Sequence, residues 1–286
     1  MPPKSVFGYF RPITKVTLRS KKKKVNVMLK AATLASGSSG NCTVVSDGKL
    51  HILIDAGISA KRIVTGLREL ELDPRDVAAI LITHEHSDHI GGLPVLCKQL
   101  GAELYATEGT AEEICGRSAG LAERFRVFDP GERFAVGDLV VGSFATSHDC
   151  ACPVGYTVSD GCRKLALCTD TGVITRPMLG AVQGADTLIG EFNYDPDMLR
   201  NGPYPYYLKE RILGDHGHLS NELGAKLAAW AVEQGTKRVI AAHLSKENNL
   251  PAVALAAGRK ALKEIGAGDV PLLAAPRSES SGWMEV

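Results

Sequence analysis

Residues 83–89 read "THEHSDH", which places His84, His86, Asp88 and His89 within six positions directly behind the apolar run Val77 to Ile82. Imidazole nitrogens and a carboxylate are the donors that suit zinc, manganese or iron. Two histidines two residues apart can grip one ion from the same side while the adjacent Asp-His pair turns towards a second. Four such groups would be costly to bury unpaired, so packing alone does not explain the run. Three later stretches end apolar runs with the same donor types: "FATSHD" supplies His148, "LALCTDTG" supplies Asp170 and "VIAAHLS" supplies His243. Seven groups suffice for two divalent ions with a position open to water. A hydroxide held between such ions is a nucleophile at neutral pH, because coordination draws the pKa of water down to about 7. Hydrolysis is therefore the expected reaction class.

Positioning these donors falls to a chain of alternating strands and helices. Residues 30–57 read as three strands joined by a Gly/Ser turn and an Asp47-Gly48 hairpin turn, and "AKRIVTGLREL" carries a helical apolar stripe at 63, 64, 67 and 70. The run Val77 to Ile82 is a buried strand, and "GGLPVLCKQL" begins a helix. Strand "AELYAT", helix "TAEEICGRSA", strands from Phe125 to Thr146 and a hairpin turning at Asp160-Gly161 follow. A helix at 174–182, the strand "DTLIGEF", a helical stretch within 196–213 and a helix at 220–234 capped by Ser220 come next. The strand "RVIAAHL", a helix at 250–265 and a terminal strand pair, "VPLLAA" with "GWMEV", complete the reading. Strand runs interrupted by helices in two halves predict two sheets packed together with helices outside.

The hydrophobic share of 44% over 286 residues is that of a folded globular chain, and no apolar stretch reaches the length of a membrane span. No secretory signal is recognisable, and the seven cysteines form no CxxC pair, so a cytoplasmic protein with reduced thiols is expected. A net charge of +1 hides nine Lys or Arg and no acid in residues 1–30, leaving 24 basic against 32 acidic residues for the rest. Residues 1–29 are expected to form a basic, disordered extension, able to add salt-sensitive affinity for nucleic acid, with 30–286 as one domain. Met28 stands as a second candidate start.

The order HxHxDH, single His, single Asp, final His resembles the metallo-β-lactamase superfamily, from about Lys30 to the end of the chain. The resemblance implies an α/β (α+β) fold, the αββα sandwich of two mixed β-sheets flanked by helices. It also implies two divalent ions, Zn²⁺ or Mn²⁺ or iron, with His84, His86 and His148 on one, Asp88, His89 and His243 on the other, and Asp170 bridging. Diiron flavoproteins of the superfamily carry a glutamate where this chain has His86, which counts against redox chemistry. "GEFNYD", "DHGHLSNELGAKLAAWA" and "HLSKENN" are similar to the phosphodiesterase branch, notably ribonuclease Z. That likeness implies that Glu191 orients His218 as a general acid; helix capping by His218 and a plain salt bridge from Glu191 is the alternative.

"LASGSSGNCT", "LIDAG", "PVGYT", "TDTG", "NYDPDML" and "GHLSN" together resemble the WalJ/YycJ group. The implied activity is exonucleolytic cleavage of DNA, with Asp88 also orienting the hydroxide, and the group is linked with cell-wall signalling. The stretch from Asp170 to His243 is too short for the inserted domain of ribonuclease J, and no protruding tRNA-holding arm is recognisable, so DNA ranks above tRNA. Ser38, Ser39 and Asn41 in "SGSSGN" are candidates for a phosphate cradle, and Asn193, Ser245, Lys246 and Asn248 for facing the substrate. Cys150 and Cys152 follow His148 closely enough to bind metal, with packing as the other reading. Two other functions stay open: a small-molecule hydrolase acting on a lactone, thioester or cyclic phosphodiester, and a signalling protein that metals only stabilise.

Overall fold

The computed structural model describes residues 10–13 and 28–286. Fifteen strands among these residues form two sheets. The first contains β1 (Arg11–Pro12), β2 (Lys30–Ala35), β3 (Cys42–Ser46), β4 (His51–Ile54), β5 (Val77–Leu81), β6 (Glu103–Thr107), β7 (Phe125–Phe128) and β15 (Met284–Glu285), in the order β1-β7-β6-β5-β4-β3-β2-β15. The second runs β14-β13-β12-β11-β10-β9-β8, from β8 (Arg133–Val136), β9 (Leu139–Ala145), β10 (Val154–Ser159), β11 (Lys164–Cys168), β12 (Thr187–Glu191) and β13 (Arg238–Ala242) to β14 (Leu272–Ala274). Both are mixed, and they stack face to face.

The inner faces meet in a core that includes Val45, Ile52, Ile54, Phe134, Val141, Tyr156, Ile189 and Ile240. Each such side chain contributes roughly 1.5–3 kcal/mol on burial. Strands β4 and β13 are buried on both faces because helices cover the outside, so after their first residue their sequences, ILI and VIAA, run hydrophobic instead of alternating. Helices α1 (Ala60–Glu69), α3 (Leu93–Gln99) and α4 (Glu108–Arg117) cover the first sheet through Ile63, Leu67, Leu96 and Ile114. Helices α5 (Arg176–Val182), α8 (Asn221–Glu233) and α9 (Pro251–Glu264) cover the second through Met178, Val182, Leu227 and Leu262. Short helices α2 (Ser87–Ile90), α6 (Pro196–Asn201) and α7 (Tyr206–Leu213) lie in the connections. This is the expected αββα sandwich. No helix among the described residues is long and apolar enough to cross a membrane.

Strand direction explains why the donors converge. Strand β4 is parallel to β5, and β11, β12 and β13 are mutually parallel. Strand β9 is antiparallel to β10, which is antiparallel to β11, so β9 and β11 point the same way. Residues just past the ends of β4, β5, β9, β11 and β13 therefore emerge along one edge, where open α/β sheets place their ligands. Tyr156 ties the two sheets together there, its hydroxyl donating to the Ile82 carbonyl at 2.7 Å.

Three expectations are corrected. The terminal segments do not pair with each other: β14 continues the parallel register of β13, and β15 runs antiparallel to β2 in the other sheet. Helix α4 begins at Glu108, two residues earlier than read, and ends at Arg117, where Ser118 leaves helical geometry at φ −150° and ψ 67°. The N-terminal extension is not wholly apart from the domain. Arg11–Pro12 pair in parallel with Arg126–Val127, Phe10 lies edge-on to Phe125 at 6.1 Å, and Leu29 is buried. Apolar side chains in the basic segment gain more from the sheet edge than from water. The rest of the expected disorder concerns residues 1–9 and 14–27, outside the described residues.

One glycine sets how closely the strand ends approach. A Cβ on Gly57 would lie 1.6 Å from the Asp88 carbonyl oxygen. Asn41 N–H donates to that same oxygen and Gly57 N–H donates to Asn41 O, each at 2.8 Å. Gly57→Ala is thus expected to lower stability by about 2–4 kcal/mol, measured as a fall in the denaturant midpoint at constant m. A change within 0.5 kcal/mol, roughly that of an ordinary surface substitution, would show that the backbone there moves aside freely.

Candidate metal centre and active site

The histidine-rich turn leaves β5 and winds into α2, with His86 at its N-cap. Asp55 and His243 directly follow β4 and β13, Asp170 comes two residues past β11, and all three adopt the left-handed conformation, Asp55 at φ 63°, Asp170 at 59° and His243 at 56°. L-residues with side chains rarely hold that conformation without compensation. Here the reversal turns three strand ends sharply inward, and buried hydrogen bonds fix it: His243 N–H donates to Ser36 Oγ at 2.8 Å, and Thr83 N–H to Asp55 Oδ1 at 2.9 Å.

All seven expected donors come together. His84, His86 and His148 offer ring nitrogens within 4.8 Å of one another, as do the atoms of Asp88, His89 and His243. Asp170 joins the two sets: it groups with His84 and His89, its Oδ2 lies 3.5 Å from His89 Nε2, and its Oδ1 lies 3.9 Å from His148 Nε2. His84 Nε2, Asp170 Oδ2 and His243 Nε2 are buried without a hydrogen-bond partner. Buried polar atoms are rarely left so, and three such orphans in one donor cluster are what a bound cation would satisfy. The residues fit the group that their chemistry implies.

The opposite nitrogens of these rings are already held, which fixes the orientation of each ligand. His148 Nδ1 donates to the Gly217 carbonyl at 3.0 Å, His89 Nδ1 to Asp55 Oδ2 at 2.8 Å, and His243 Nδ1 to Glu191 Oε1 at 3.1 Å. Burial pushes His84 and His148 below the ordinary histidine value, leaving neutral rings with lone pairs. Burial also opposes charge on His89 and His243. There the surrounding carboxylates outweigh it, led by Asp170, raising His89 well above its ordinary value and His243 to about 10. Burial opposes ionisation of Asp88 and Asp170 too, but the imidazolium neighbours hold both well below the usual carboxylate range. Protons on His89 and His243 thus supply the positive charge that balances the buried acids.

Beside this centre Glu191 sits fully buried on β12. Its Oε1 accepts from His218 Nδ1 at 2.7 Å, and its Oε2 accepts from the amides of Thr171 and Leu219 at 3.0 and 3.1 Å. Burial works against its charge, yet His218 leads the groups that keep it below the usual range. The pairing of Glu191 with His218 is present as expected, and Ser220, not His218, caps α8. The alternative of a capping histidine is thereby removed.

The residues expected near the substrate divide into two kinds. Asn41 is buried, its Oδ1 accepting from Gly37 N–H at 2.9 Å and its Nδ2 lying 3.0 Å from His89 Nε2. Asn193 Nδ2 donates to the His243 carbonyl at 2.8 Å. Ser245 and Asn248 are buried and bond each other, Asn248 N–H donating to Ser245 Oγ at 3.2 Å. These four hold ligand loops in place. The amides of Gly37, Gly40 and Asn41 are also taken, so the expected backbone cradle loses half of its loop donors. Ser38, Ser39 and Lys246 are exposed. Cys150 and Cys152 belong to no cluster of metal-ligating atoms among the described residues, and burial followed by Glu85 pushes the Cys150 thiol upward.

The sequence reading missed Asp55, Glu85 and Asp149. Asp55 was visible only as the acid of "LIDAG", at a strand end like several of the candidate ligands, but it holds the His89 ring and joins no candidate ligand group. Glu85, between two ligand histidines, points away and accepts from Ala151 N–H at 2.7 Å, pinning the loop after His148. Asp149 faces the first ligand set, with Oδ1 3.6 Å from His148 Nε2 and 3.9 Å from His86 Nε2, and it is clasped by Arg211. Asp55→Asn removes the charge that holds the His89 ring, and metal affinity is expected to fall about 10- to 100-fold, measured by competition with a chromophoric chelator. Unaltered affinity would mean that Thr83 alone suffices.

Comparison with known proteins agrees with this geometry. The profile of the β-lactamase superfamily domain matches residues 51–244. The chain belongs to the metallo-β-lactamase superfamily. It is 42% identical over 228 residues to Exodeoxyribonuclease WalJ of Streptococcus pneumoniae, spanning 79% of this chain and 85% of that protein. It is 41% identical over 240 residues to Exodeoxyribonuclease YycJ of Bacillus anthracis, spanning 83% and 90%. The metallo-β-lactamase fold protein YhfI from Bacillus subtilis superposes with a TM-score of 0.67 at 15% identity, over 88% of this chain and 98% of that one, which confirms the fold. This superfamily member is a metal-dependent hydrolase, with its donors at one edge of the sandwich.

Proposed function

We propose that this superfamily member is a DNA exonuclease that works with two divalent ions, Zn²⁺ or Mn²⁺. The observation that carries the reading is the convergence of seven donors, three of them with orphaned buried atoms, beside a buried Glu191–His218 pair. The likeness to exodeoxyribonucleases over most of both chains directs it to DNA. His84, His86 and His148 would hold one ion, Asp88, His89 and His243 the other, with Asp170 shared. Bound there, such ions supply Lewis acidity and an activated water.

The remaining work falls to side chains. Glu191, kept ionised, accepts the Nδ1 proton of His218 and fixes the ring so that Nε2 faces away from the carboxylate. A proton held at Nε2 can pass to the departing oxygen of the sugar. Asp88, with an oxygen 3.6 Å from His243 Nε2 and 22% of its side chain exposed, is placed to orient water at the centre.

The test is nucleotide release from end-labelled duplexes with Mn²⁺ and with Zn²⁺, comparing the wild type with Asp88→Ala. Metal-dependent release that Asp88→Ala removes supports the reading. Release that survives the substitution marks a contaminating nuclease, and hydrolysis of lactones or thioesters but not DNA would replace the proposal.

Metal uptake is expected to release protons. His243 carries one at neutral pH in the metal-free chain, and Nε2 must lose it to coordinate. Because its value is raised, the protonated, metal-rejecting form dominates below about 10, so affinity rises with pH. Each released proton tightens the apparent Kd for Zn²⁺ about tenfold per pH unit between roughly pH 6 and 8. Calorimetry in buffers of different ionisation enthalpy counts the protons; a count of zero contradicts the charge balance described above.

A further inference from the structure

Helix α7 packs inward through Leu208 and Ile212 against Tyr194, Leu199 and Tyr204. Two adjacent aromatic side chains on it do no packing: Tyr206 is 77% and Tyr207 75% exposed. Leaving two large rings exposed forgoes the burial that aromatic residues ordinarily gain, and a ring that projects into water from a helix tied to a functional site favours a ligand with its own flat face.

Tyr207 and Arg211 are four residues apart on α7, so they share a face about one turn apart. Arg211 Nη2 donates to Asp149 Oδ1 at 3.0 Å and Nε donates to Asp149 Oδ2, while Nη1 makes no hydrogen bond among the described residues. Asp149 Oδ1 in turn lies 3.6 Å from His148 Nε2. A continuous track therefore leads from the exposed ring, past a fixed guanidinium with donors to spare, to the ligand histidines. Lys209, whose ammonium donates to the Arg200 carbonyl, and Arg200, paired with Asp197 at 3.5 Å, add cations to the same α6–α7 unit, and a ring with cations around it complements a polyanion carrying stacked bases.

We propose that Tyr207 is a stacking platform for the base next to the scissile phosphate, and that Arg211, aimed by Asp149, engages that nucleotide's phosphate. The proposal rests on the DNA reading above and names residues that hold the strand end. Tyr207 is a positioning residue, and its loss should act on binding.

The test uses the full chain with Mn²⁺, steady-state kinetics on end-labelled duplexes, and the emission of 2-aminopurine placed as the terminal base of a phosphorothioate-ended duplex. Tyr207→Ala is expected to raise KM about tenfold, in line with the loss of one base–aromatic stack, with kcat held within about twofold, and to abolish the quenching of 2-aminopurine. Tyr207→Trp should restore both. Arg211→Lys, which keeps the charge but not the planar fork, should raise KM and leave metal content as in the wild type. An active wild type whose KM and quenching ignore Tyr207→Ala overturns this inference and leaves the proposed function intact. If Tyr207→Ala changes only the sedimentation coefficient, the surface belongs to a second copy of the chain and the inference is wrong. A wild type that releases nothing from DNA but hydrolyses other esters sinks the function, and this inference with it.

Discussion

Asp170→Ala is expected to lower hydrolysis by about 10³-fold or more, since the charge stabilisation supplied by paired cations is worth several kcal/mol. Asp170 lies between the two candidate ligand sets, with one oxygen near His89 and the other near His148 and His243, so its removal would loosen both of the proposed ions together. Metal content measured by inductively coupled plasma mass spectrometry should fall in parallel with rate. The loss also removes the leading charge that keeps His89 and His243 protonated in the metal-free chain. Asp170→Asn, nearly isosteric, should retain the fold and still lose most of the rate. Full activity in either variant would mean that the two ligand sets act independently, against the arrangement of a shared carboxylate.

His218→Ala should produce the second large effect, a fall in kcat on DNA of about 10²- to 10⁴-fold, the usual contribution of a positioned general acid. The distinguishing measurement is leaving-group dependence. A 4-nitrophenyl phosphodiester departs without a proton, so its hydrolysis should suffer far less than that of DNA. Metal content should remain near wild type. Glu191→Gln is expected to behave differently, because Glu191 serves His218, His243 and two backbone amides at once. It should cost metal as well as rate. Equal losses for both substrates in His218→Ala would move His218 from proton donor to a structural or metal-holding role.

The αββα layers and the ligand set were legible in the sequence for a physical reason. Secondary structure and donor type are written locally, in the apolar runs of β5, β11 and β13 and in the donors that end them. Six of the eight histidines ended near this one site: His84, His86, His89, His148, His218 and His243. Helix α8 and its Ser220 cap followed from the same local pattern. The terminal strands were misplaced because short segments such as β14 and β15 carry no record of which neighbour they join.

What only the tertiary structure decided is how buried polar groups are paired. Asn41 and Asn248 read as substrate contacts from their places, one in the "SGSSGN" loop and one just past His243, and those places do not tell which buried groups the side chains meet. Asn41 and Asn248 bond locally, to Gly37 and Ser245, but Asn41 also reaches Asp88 and His89, and Asn193 reaches His243; those distant partners, like Ser36 for His243, are announced by nothing within a few residues. Asp55 became the partner of His89 by the same route, across the β4–β5 pairing. The sequence by itself determined which donors exist and that strand ends present them. Folding alone determined which of them face the open centre and which hold the others in place, because a buried hydrogen bond is a property of two surfaces meeting.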